Sequence, residues 1–306
     1  MATDTPWGKT SGSGAGHAPM PCPPSEPDTS MTEYEFRLIR DYIHEYCGLY
    51  YDASRSVTLA RRLAFRLKLL DIRTFAEYYN YLRYNPRSKE EMDDLVPHLT
   101  NNETYFFREM GQLTALLNDV LEKVKAVKQK KGENSIRIMS CGCSSGEEAY
   151  TLSMLLDEEN FRFKGWDIGI TGIDIDRKVL EKAEKATYTS YSLRATERRR
   201  IERFFVREGE LYHLKPEVKG RVRFIRGNIM DRDVIGAFKG ADVILCRNVL
   251  IYFSEDAIRS VAETFYETLS DDGYLFLGHS ESLARITDIY HTRRYPSAIV
   301  YCKKGE

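Results

Sequence analysis

The spacing of hydrophobic residues divides the chain into a helical first part and an alternating second part. Between residues 31 and 96, apolar side chains recur every three or four positions, which is the period of an amphipathic helix. Thr32 can cap the first of these helices. The predicted helices are Glu33–Cys47, Ser56–Leu70, Thr74–Tyr84 and a short one after Pro86 that ends near Pro97. Residues 31–96 are therefore expected to form an all-helical domain.

From residue 97 to residue 306, short apolar runs alternate with amphipathic stretches. The apolar runs predict strands at Ile136–Ser140, Asp167–Ile173, Phe224–Arg226, Asp242–Cys246, Tyr274–Gly278 and Ala298–Cys302. Predicted helices between them include one that ends at Glu158, Arg177–Ala186 and one that Ser254 caps and that runs through Leu269. Strand–helix alternation with short connections predicts an α/β domain with a doubly wound, mostly parallel sheet. Asp272-Gly273 is expected to turn the chain into the strand at Tyr274.

A segment near 204–222 breaks the alternation. Phe204–Val206 and Leu211–Leu214 are short strand signals around Glu208-Gly209, a pattern typical of a hairpin. Val222 either begins a third strand of this hairpin or begins the next strand of the main sheet. The segment is expected to form a small antiparallel insertion on the larger domain.

The first thirty residues have a different composition from the rest. Residues 1–30 are rich in Gly, Ser, Pro and Thr and have almost no large aliphatic side chains. Such a segment cannot bury enough apolar surface to offset the entropy of ordering it. We expect a disordered tail.

A glycine loop lies between the first predicted strand and its helix, in the stretch IRIMSCGCSSGEEAY (136–150). Ser144 or Ser145 is expected to cap the helix. A glycine loop that opens a helix behind a strand usually indicates a nucleotide pocket. Here Glu147 and Glu148 occupy the first turn, where the amides would otherwise bind a phosphate, so a cationic ligand such as S-adenosylmethionine fits better. The alternative is that both carboxylates only complement the helix dipole.

Polar residues follow several of the predicted strands. In a doubly wound sheet, ligands bind at the carboxyl ends of the strands, so Asp174, Asn228 and Arg247-Asn248 should surround one crevice with the Gly142–Glu148 loop. An acidic residue at the end of the second strand can accept hydrogen bonds from a ribose diol, and we assign this role to Asp174. The alternative is that Asp174 caps the following helix, which Asp176 could do instead.

The overall composition narrows the classes of function. The net charge is −1, which argues against a general nucleic-acid binder. No apolar run approaches the length needed to span a membrane and the N-terminus lacks a signal-peptide core, so we expect no membrane insertion and a cytoplasmic location. The six cysteines include a single C-x-C pair, Cys141 and Cys143, with no second pair at zinc-ligand spacing. We expect no metal site.

Two further stretches allow both a structural and a functional interpretation. Four arginines fall along one flank of the Ser56–Leu70 helix if its phase continues from residue 55 to 73: Arg55, Arg62, Arg66 and Arg73. They form either a solvated face or a docking surface for an acidic partner. The stretch PHLTNNETYFFR (97–108) either caps and anchors a helix at Met110–Val127, through Thr100 or Asn101, or folds over a pocket. Spacing alone favours the cap.

Five motifs in order give the chain a family resemblance. They are LTNNETYFFRE (99–109), SSGEEAY (144–150), GIDIDRKVLEKA (172–183), CRNVLIYF (246–253) and GYLFLGHSE (273–281). With the helical domain and the insertion, they make residues 31–306 resemble the chemotaxis receptor methyltransferases of the CheR family. The resemblance implies a Rossmann-like class I fold with S-adenosylmethionine as cofactor. It also implies methyl transfer to glutamate side chains on the cytoplasmic helical bundle of chemoreceptors, giving glutamate methyl esters.

The resemblance also implies site residues. The family's cofactor-binding residues map onto Asn102, Thr104, Arg108, Glu148, Asp174, Asn228, Ile229, Arg247 and Asn248. Arg108 and Tyr252 match the residues that face the methyl-transfer centre in the family. A glutamate carboxylate is already ionised at neutral pH, so it needs no general base, and His279 in GHSE is interpreted as part of a strand-end structural motif. The enzyme would act mainly by aligning its two substrates.

Two other functions and one question of recognition remain open on the sequence. The chain could be a receptor-binding scaffold that kept the fold, or a methyltransferase for small molecules or nucleic acids. In the family, the insertion can bind a peptide from a receptor's C-terminus by adding a strand. Members that do so tend to have a longer, glycine-rich connection, whereas Arg207-Glu208-Gly209-Glu210 is short and acidic. We therefore expect independence from a receptor C-terminal pentapeptide.

Overall fold

The computed structural model describes residues 30–303. Except for Ser30, the tail predicted for residues 1–30 lies outside this range. No helix between residues 30 and 303 is long and apolar enough to cross a membrane. No group of His, Cys, Asp and Glu side chains within the same range could hold a metal ion.

Four helices form the N-terminal domain. They are α1 (Glu33–Cys47), α2 (Ser56–Leu69), α3 (Phe75–Tyr84) and α4 (Ser88–Leu99). Thr32 and Thr74 begin α1 and α3 with capping boxes, in which each threonine hydroxyl accepts from the amide of a glutamate three residues later. Helix α4 continues two residues past Pro97, although the proline nitrogen cannot donate the hydrogen bond that another residue would make there.

The centre of this helical domain contains an ion pair that changes the interpretation of the arginines. Arg66 is only 4% exposed, and its guanidinium donates to both oxygens of Glu91 at 2.9 and 2.5 Å. Arg62 is half-buried and donates to the Leu99 carbonyl and, at 3.2 Å, to a tyrosine hydroxyl. The predicted docking flank is therefore wrong for Arg66, and Arg62 is held within the domain. Arg55 and Arg73 are exposed but lie outside α2, so the helical phase does not extend to them.

The larger domain is built on a seven-stranded sheet. Its strands are β1 (Ser135–Cys141), β2 (Asp167–Asp174), β6 (Val222–Arg226), β7 (Ala241–Cys246), β8 (Leu269–Leu277), β9 (Tyr290–Tyr295) and β10 (Ala298–Lys303). Their order is β6-β2-β1-β7-β8-β10-β9, and only β10 runs antiparallel to its neighbours β8 and β9. This confirms the doubly wound, mostly parallel sheet. Strand β9 was not expected, because its residues are largely polar and exposed at the sheet edge.

Helices cover both faces of this sheet. They are α5 (Met110–Ala115), a π-helical turn (Leu116–Val120), α6 (Leu121–Lys130), α7 (Glu147–Glu158), α8 (Arg177–Lys185), α9 (Arg198–Phe204), α10 (Pro216–Lys219), α11 (Arg232–Gly236) and α12 (Glu255–Thr268). Ser254 caps α12 as predicted, accepting from the Ala257 amide. Strand β8 begins at Leu269, before the turn expected at Asp272-Gly273, and its pairing with β7 shifts register next to Leu269.

The insertion is a separate three-stranded antiparallel sheet. Strand β5 (Leu211–Leu214) lies between β4 (Phe205–Glu208) and β3 (Thr187–Thr189). The third strand is therefore β3, and Val222 begins the main-sheet strand β6. Tyr188 on β3 packs edge-on against Phe106 and Phe205, which fixes the insertion to the body of the domain.

The two domains meet beside the carboxyl ends of the parallel strands. Leu49 forms an antiparallel bridge with Phe253, and the Tyr50 amide donates to the Tyr252 carbonyl at 2.8 Å. The amide group of Asn228 donates to the Tyr46 carbonyl. The helical domain is therefore bonded to the loops that follow β6 and β7, where the crevice of the sheet lies.

Candidate active site

A cavity of about 1040 Å³, including its open mouth, lies at the carboxyl ends of β1, β2, β6 and β7. All ten site residues named from the sequence line it: Asn102, Thr104, Arg108, Glu148, Asp174, Asn228, Ile229, Arg247, Asn248 and Tyr252. The helical domain adds Cys47, Leu49 and Val96, which the sequence analysis did not identify. The cavity is therefore closed partly by the first domain.

The glycine loop after β1 begins α7 without a side-chain cap. Gly146 is the N-cap, in the left-handed region at φ 89°, so the predicted cap at Ser144 or Ser145 is wrong. A Cβ on Gly146 would lie 2.9 Å from the Ala183 Cβ, so only glycine fits both the space and the dihedral angle. The two serine hydroxyls instead donate to the Asn102 carbonyl at 3.1 Å and to Glu147 at 2.8 Å.

The amides of this loop are already bonded within the protein. The amides of Gly142 and Cys143 donate to the Ile173 carbonyl at 2.8 and 3.1 Å, and the Gly146 amide donates to the Cys143 carbonyl at 3.0 Å. The Ser144 amide donates to Asp174 at 2.8 Å. A phosphate-binding loop needs free amides that point at the ligand. This loop therefore does not form a pyrophosphate cradle.

The two glutamates that begin α7 have different environments. Glu147 is 1% exposed and accepts hydrogen bonds from the hydroxyls of Ser145 and Ser192, and burial raises the pKa of its carboxyl. Glu148 lines the cavity, where it accepts from the Ser140 hydroxyl at 2.7 Å and from Arg247 at 2.8 Å. Of these two glutamates, Glu148 is therefore the one that presents its carboxylate to a ligand in the cavity.

Asp174 ends β2 with its carboxylate on the cavity wall. Its Oδ2 accepts from the Ser144 amide at 2.8 Å and its Oδ1 from the Asp176 amide at 2.9 Å. Burial raises the pKa of Asp174 to about 6. Asp176, not Asp174, caps α8, and it also accepts from the Asn102 amide group at 2.9 Å. The carboxylate still has accepting capacity for a ligand, which suits a ribose diol.

Arg247 is the centre of a buried polar network beside the cavity. Its Nε donates to Gln112 at 2.7 Å, and its Nη1 donates to Glu148 at 2.8 Å. Its Nη2 donates to the Arg108 carbonyl at 2.9 Å and to Glu109 at 3.2 Å. The network fixes the orientation of Glu148 and joins the linker to the end of β7. Gln112 was missed in the sequence because a buried glutamine has no sequence signature of its own.

The linker between the two domains crosses the cavity. Thr100 ends α4, and Glu109 precedes α5 with φ 53° and no side-chain cap, so the predicted cap at Thr100 or Asn101 is wrong. Phe106 is fully buried, and the neighbouring Phe107 amide donates to the Thr151 hydroxyl at 3.1 Å. These contacts hold the linker as a wall of the cavity, which agrees with the functional interpretation of this stretch.

Two side chains lie where the linker meets the loop after β7. Arg108 is half-exposed and donates to the Glu103 carbonyl at 2.9 Å. The Tyr252 hydroxyl accepts from the Asn101 amide group at 3.2 Å. Both side chains line the cavity, and both keep hydrogen-bonding capacity.

The donor set of the cavity fits S-adenosylmethionine. Asp174 supplies a carboxylate for a ribose diol, and Glu148 supplies one for an ammonium group. Four amides of the glycine loop, those of Gly142, Cys143, Ser144 and Gly146, already donate to other groups of the protein. The residues present therefore suit a nucleoside that carries positive charge and no phosphate.

Comparisons with known proteins agree with this geometry. Residues 34–100 match the family model "CheR methyltransferase, all-alpha domain", and residues 102–299 match "CheR methyltransferase, SAM binding domain". The chain is 37% identical over 274 residues to chemotaxis protein methyltransferase 2 of Vibrio cholerae, covering 89% of this chain and 94% of the relative. It is 31% identical to chemotaxis protein methyltransferase 1 of Pseudomonas aeruginosa, covering 90% and 100%. It is also 31% identical to the Escherichia coli chemotaxis protein methyltransferase, covering 84% and 87%.

The two family models together cover nearly all of the described residues, and the boundary between them, at residues 100–102, falls where the helical domain meets the linker. The domain with the seven-stranded sheet has the class I methyltransferase fold and binds S-adenosylmethionine, and the all-helical domain precedes it. The chain belongs to the CheR methyltransferase family.

Proposed function

We propose that this enzyme transfers the methyl group of S-adenosylmethionine to glutamate side chains of chemoreceptors. The observation that carries the proposal is that all ten residues implied by the family resemblance line one cavity. Chemotaxis methyltransferases among the relatives of this chain support the receptor as partner. The reaction would produce glutamate methyl esters on the cytoplasmic helical bundle of the receptors, so the enzyme would act in the cytoplasm.

The residues of the cavity suggest how each substrate is held. Asp174 would accept from the ribose hydroxyls and Glu148 would accept from the cofactor's ammonium group, with Arg247 fixing Glu148 in place. Asn102, Thr104, Asn228, Ile229 and Asn248 would complete the binding surface. When bound, S-adenosylmethionine supplies an electrophilic methyl group on sulfur, and a carboxylate oxygen bonds to it as the carbon–sulfur bond breaks and the electron pair stays on sulfur.

Arg108 and Tyr252 would align the incoming glutamate. A guanidinium can hold a carboxylate by two parallel hydrogen bonds, and Arg108 is partly exposed at the cavity. The Tyr252 hydroxyl is held by Asn101 and can orient a second hydrogen bond toward the reacting groups. A glutamate is ionised at neutral pH, so these residues need to position it and need not remove a proton.

The experiment that tests this proposal follows a labelled methyl group. Enzyme, S-adenosylmethionine labelled on the methyl group and receptor-containing membranes should give labelled receptor. Mild alkali should release the label as methanol, because carboxylate methyl esters hydrolyse and methyl ethers or methylamines do not. Receptors with their methylation-region glutamates changed to alanine are the matched control. Cofactor binding with no transfer would indicate a scaffold, and transfer only to small molecules or nucleic acids would indicate another substrate class.

Receptor docking should involve the exposed arginines next to α2. Arg55 and Arg73 are exposed, whereas Arg62 and Arg66 are held internally. Charge reversal at Arg55 and Arg73 should raise the KM for receptor at low salt and leave cofactor affinity unchanged, since a glutamate-rich partner is attracted by positive charge. Lys239→Glu, an exposed lysine just before β7 at the amino end of that strand, is the control. If the KM for receptor at low salt is the same in the arginine variants as in the wild type, both residues belong to a solvated face that does not dock the receptor.

The insertion should not require a receptor C-terminal peptide. Strands β4 and β5 pair up to Glu208 and Leu211, which leaves a two-residue turn of Gly209 and Glu210. Such a turn offers little loop to close over a peptide, and Glu208 and Glu210 would repel its free carboxylate. Titration with receptor C-terminal pentapeptides should show no micromolar complex, and removal of receptor tails should leave methylation rates intact. A low-micromolar complex on this sheet would contradict the proposal.

A further inference from the structure

The loop that follows β7 carries three of the site residues on an unusual backbone. Residues 247–252 include Arg247, Asn248 and Tyr252, all on the cavity wall. Asn248 has φ 61°, in the left-handed region that non-glycine residues rarely occupy. Such a conformation persists only where neighbouring groups fix it. The group that fixes this conformation, the Glu281 carboxylate, lies outside the cavity.

A single carboxylate accepts the backbone amides of this loop. Glu281 Oε2 accepts from the Asn248 amide at 2.8 Å, and its Oε1 accepts from the amides of Val249 at 2.9 Å and Ile251 at 3.1 Å. Its Oε2 also accepts from the Gly278 amide at 2.6 Å, at the end of β8. Four amides therefore point at one side chain.

This contact requires a close approach of two loops. A Cβ on Gly278 would lie 2.7 Å from the Asn248 amide nitrogen and 2.7 Å from Glu281 Oε2. Glycine at 278 therefore allows the end of β8 and the loop after β7 to share one carboxylate. His279, the other titratable residue of the GHSE motif, is exposed and does not line the cavity.

We propose that Glu281 is a positioning residue for methyl transfer, acting through the loop backbone on Tyr252 and Asn248. This inference rests on the proposed function, because it takes Tyr252 to face the reacting groups. Glu281 does not line the cavity, so it touches neither substrate. Its carboxylate accepts from three amides of the loop and from the Gly278 amide, and it holds Asn248 in its left-handed conformation. A displacement of the loop by even an ångström would misalign Tyr252.

The test is a double-mutant cycle with a matched control. Glu281→Gln keeps the shape, but its amide group must face two of the four donors, so the loop should shift. Single-turnover methyl transfer should fall by roughly ten-fold to a hundred-fold. In the Tyr252→Phe background the same change should cost less than about two-fold, because the two residues act as one unit. Glu267→Gln removes the same charge from an exposed position of α12 and should change nothing.

Two further measurements keep a folding defect apart from the proposed role. Hydrogen exchange of the 247–253 segment should accelerate in Glu281→Gln and not in Glu267→Gln, and calorimetry with S-adenosylhomocysteine should show weaker binding without any receptor present. Gly278→Ala places a methyl group between Glu281 and the Asn248 amide, so it should also slow methyl transfer. It replaces Glu281→Gln in the test if that variant does not fold. A wild-type enzyme that leaves the receptor unlabelled would refute the proposed function. A wild-type transfer rate in either variant, or fully additive losses in the cycle, would overturn this inference alone.

Discussion

Replacing Asp174 by asparagine should separate cofactor binding from folding more clearly than any other single change. The side chain keeps its size and one acceptor oxygen. Its new amide group, however, must point toward either the Ser144 amide or the Asp176 amide, which now both donate to the carboxylate. One donor is left facing another donor, and the negative charge that would accept from the ribose is lost. We expect weaker cofactor binding in a chain that still folds.

The size of the effect follows from the hydrogen bonds. A hydrogen bond to a charged group contributes about 1.5–3 kcal/mol, and two ribose hydroxyls would share this carboxylate. Retention of one neutral acceptor leaves a loss of about 2–4 kcal/mol, which is roughly a 30-fold to 1000-fold increase in Kd. Asp167→Asn, at the exposed opposite end of the same strand, is the matched control and should leave Kd unchanged.

The dependence on pH provides a second, independent signature. Burial raises the pKa of Asp174 from 3.8 to about 6, so the carboxyl becomes protonated as the pH falls below 6. A protonated carboxyl is a poorer acceptor, so cofactor affinity should fall by about ten-fold for each pH unit below the pKa. Stability of the cofactor-free enzyme follows the opposite trend. A raised folded-state pKa contributes stability that is fully present below about pH 4 and is lost as the pH rises through about 6.

The assay is calorimetry with S-adenosylhomocysteine between pH 5 and 8, with thermal melts of the cofactor-free enzyme at the same pH values. The wild type should bind more weakly at pH 5 than at pH 7 while its free form gains stability. Asp174→Asn should lose both trends. An unchanged Kd in Asp174→Asn at pH 7 would show that Asp174 does not bind the ribose. A pH dependence that persists in the variant would show that another group titrates.

Three other outcomes follow from the same structure. Arg108→Ala and Tyr252→Phe should each slow single-turnover transfer by roughly ten-fold or more with little change in melting temperature. A rate near that of the wild type would show that the residue has only a structural role. Glu91→Ala leaves the buried Arg66 without its main partner and should lower the free energy of unfolding in urea by about 3–5 kcal/mol, whereas Glu90→Ala, at a largely exposed position, should not. High salt should weaken receptor methylation more than cofactor binding, because the exposed arginines act through a screened field; equal salt dependence would argue against electrostatic docking.

Local signals in the sequence were sufficient for most of the architecture. Thr32 and Thr74 each stand three residues before a glutamate, and both capping boxes form. The alternation of apolar runs and amphipathic stretches predicts the parallel sheet, and the sheet itself brings Asp174 and Asn228 to one edge. The part of the cavity lining that follows strand ends could be anticipated, because the fold class determines the relative positions of those ends.

Features that depend on distant partners could not be anticipated in the same way. Arg66 has a typical surface composition around it, and its burial depends on Glu91, twenty-five residues later, and on Asp94. Gly146 is the cap residue, and Ala183 on another helix leaves no room for a side chain there, while the nearby serines had the better local signal. The contribution of Leu49 to the cavity depends on how two domains pack, for which spacing along the chain carries no information.

The bridge between Leu49 and Phe253 has a consequence for how this enzyme can be divided or recombined. In the loop after β7, the Tyr252 carbonyl accepts a hydrogen bond from the Tyr50 amide. The side-chain amide of Asn228 donates to the Tyr46 carbonyl. A chimaera that takes its first hundred residues from a relative would therefore exchange part of the cavity wall together with the surface that we propose for receptor docking. Such swaps should retain activity only when the segments around 46–51 and 249–253 come from the same parent, so substrate preference and catalytic competence are inherited together.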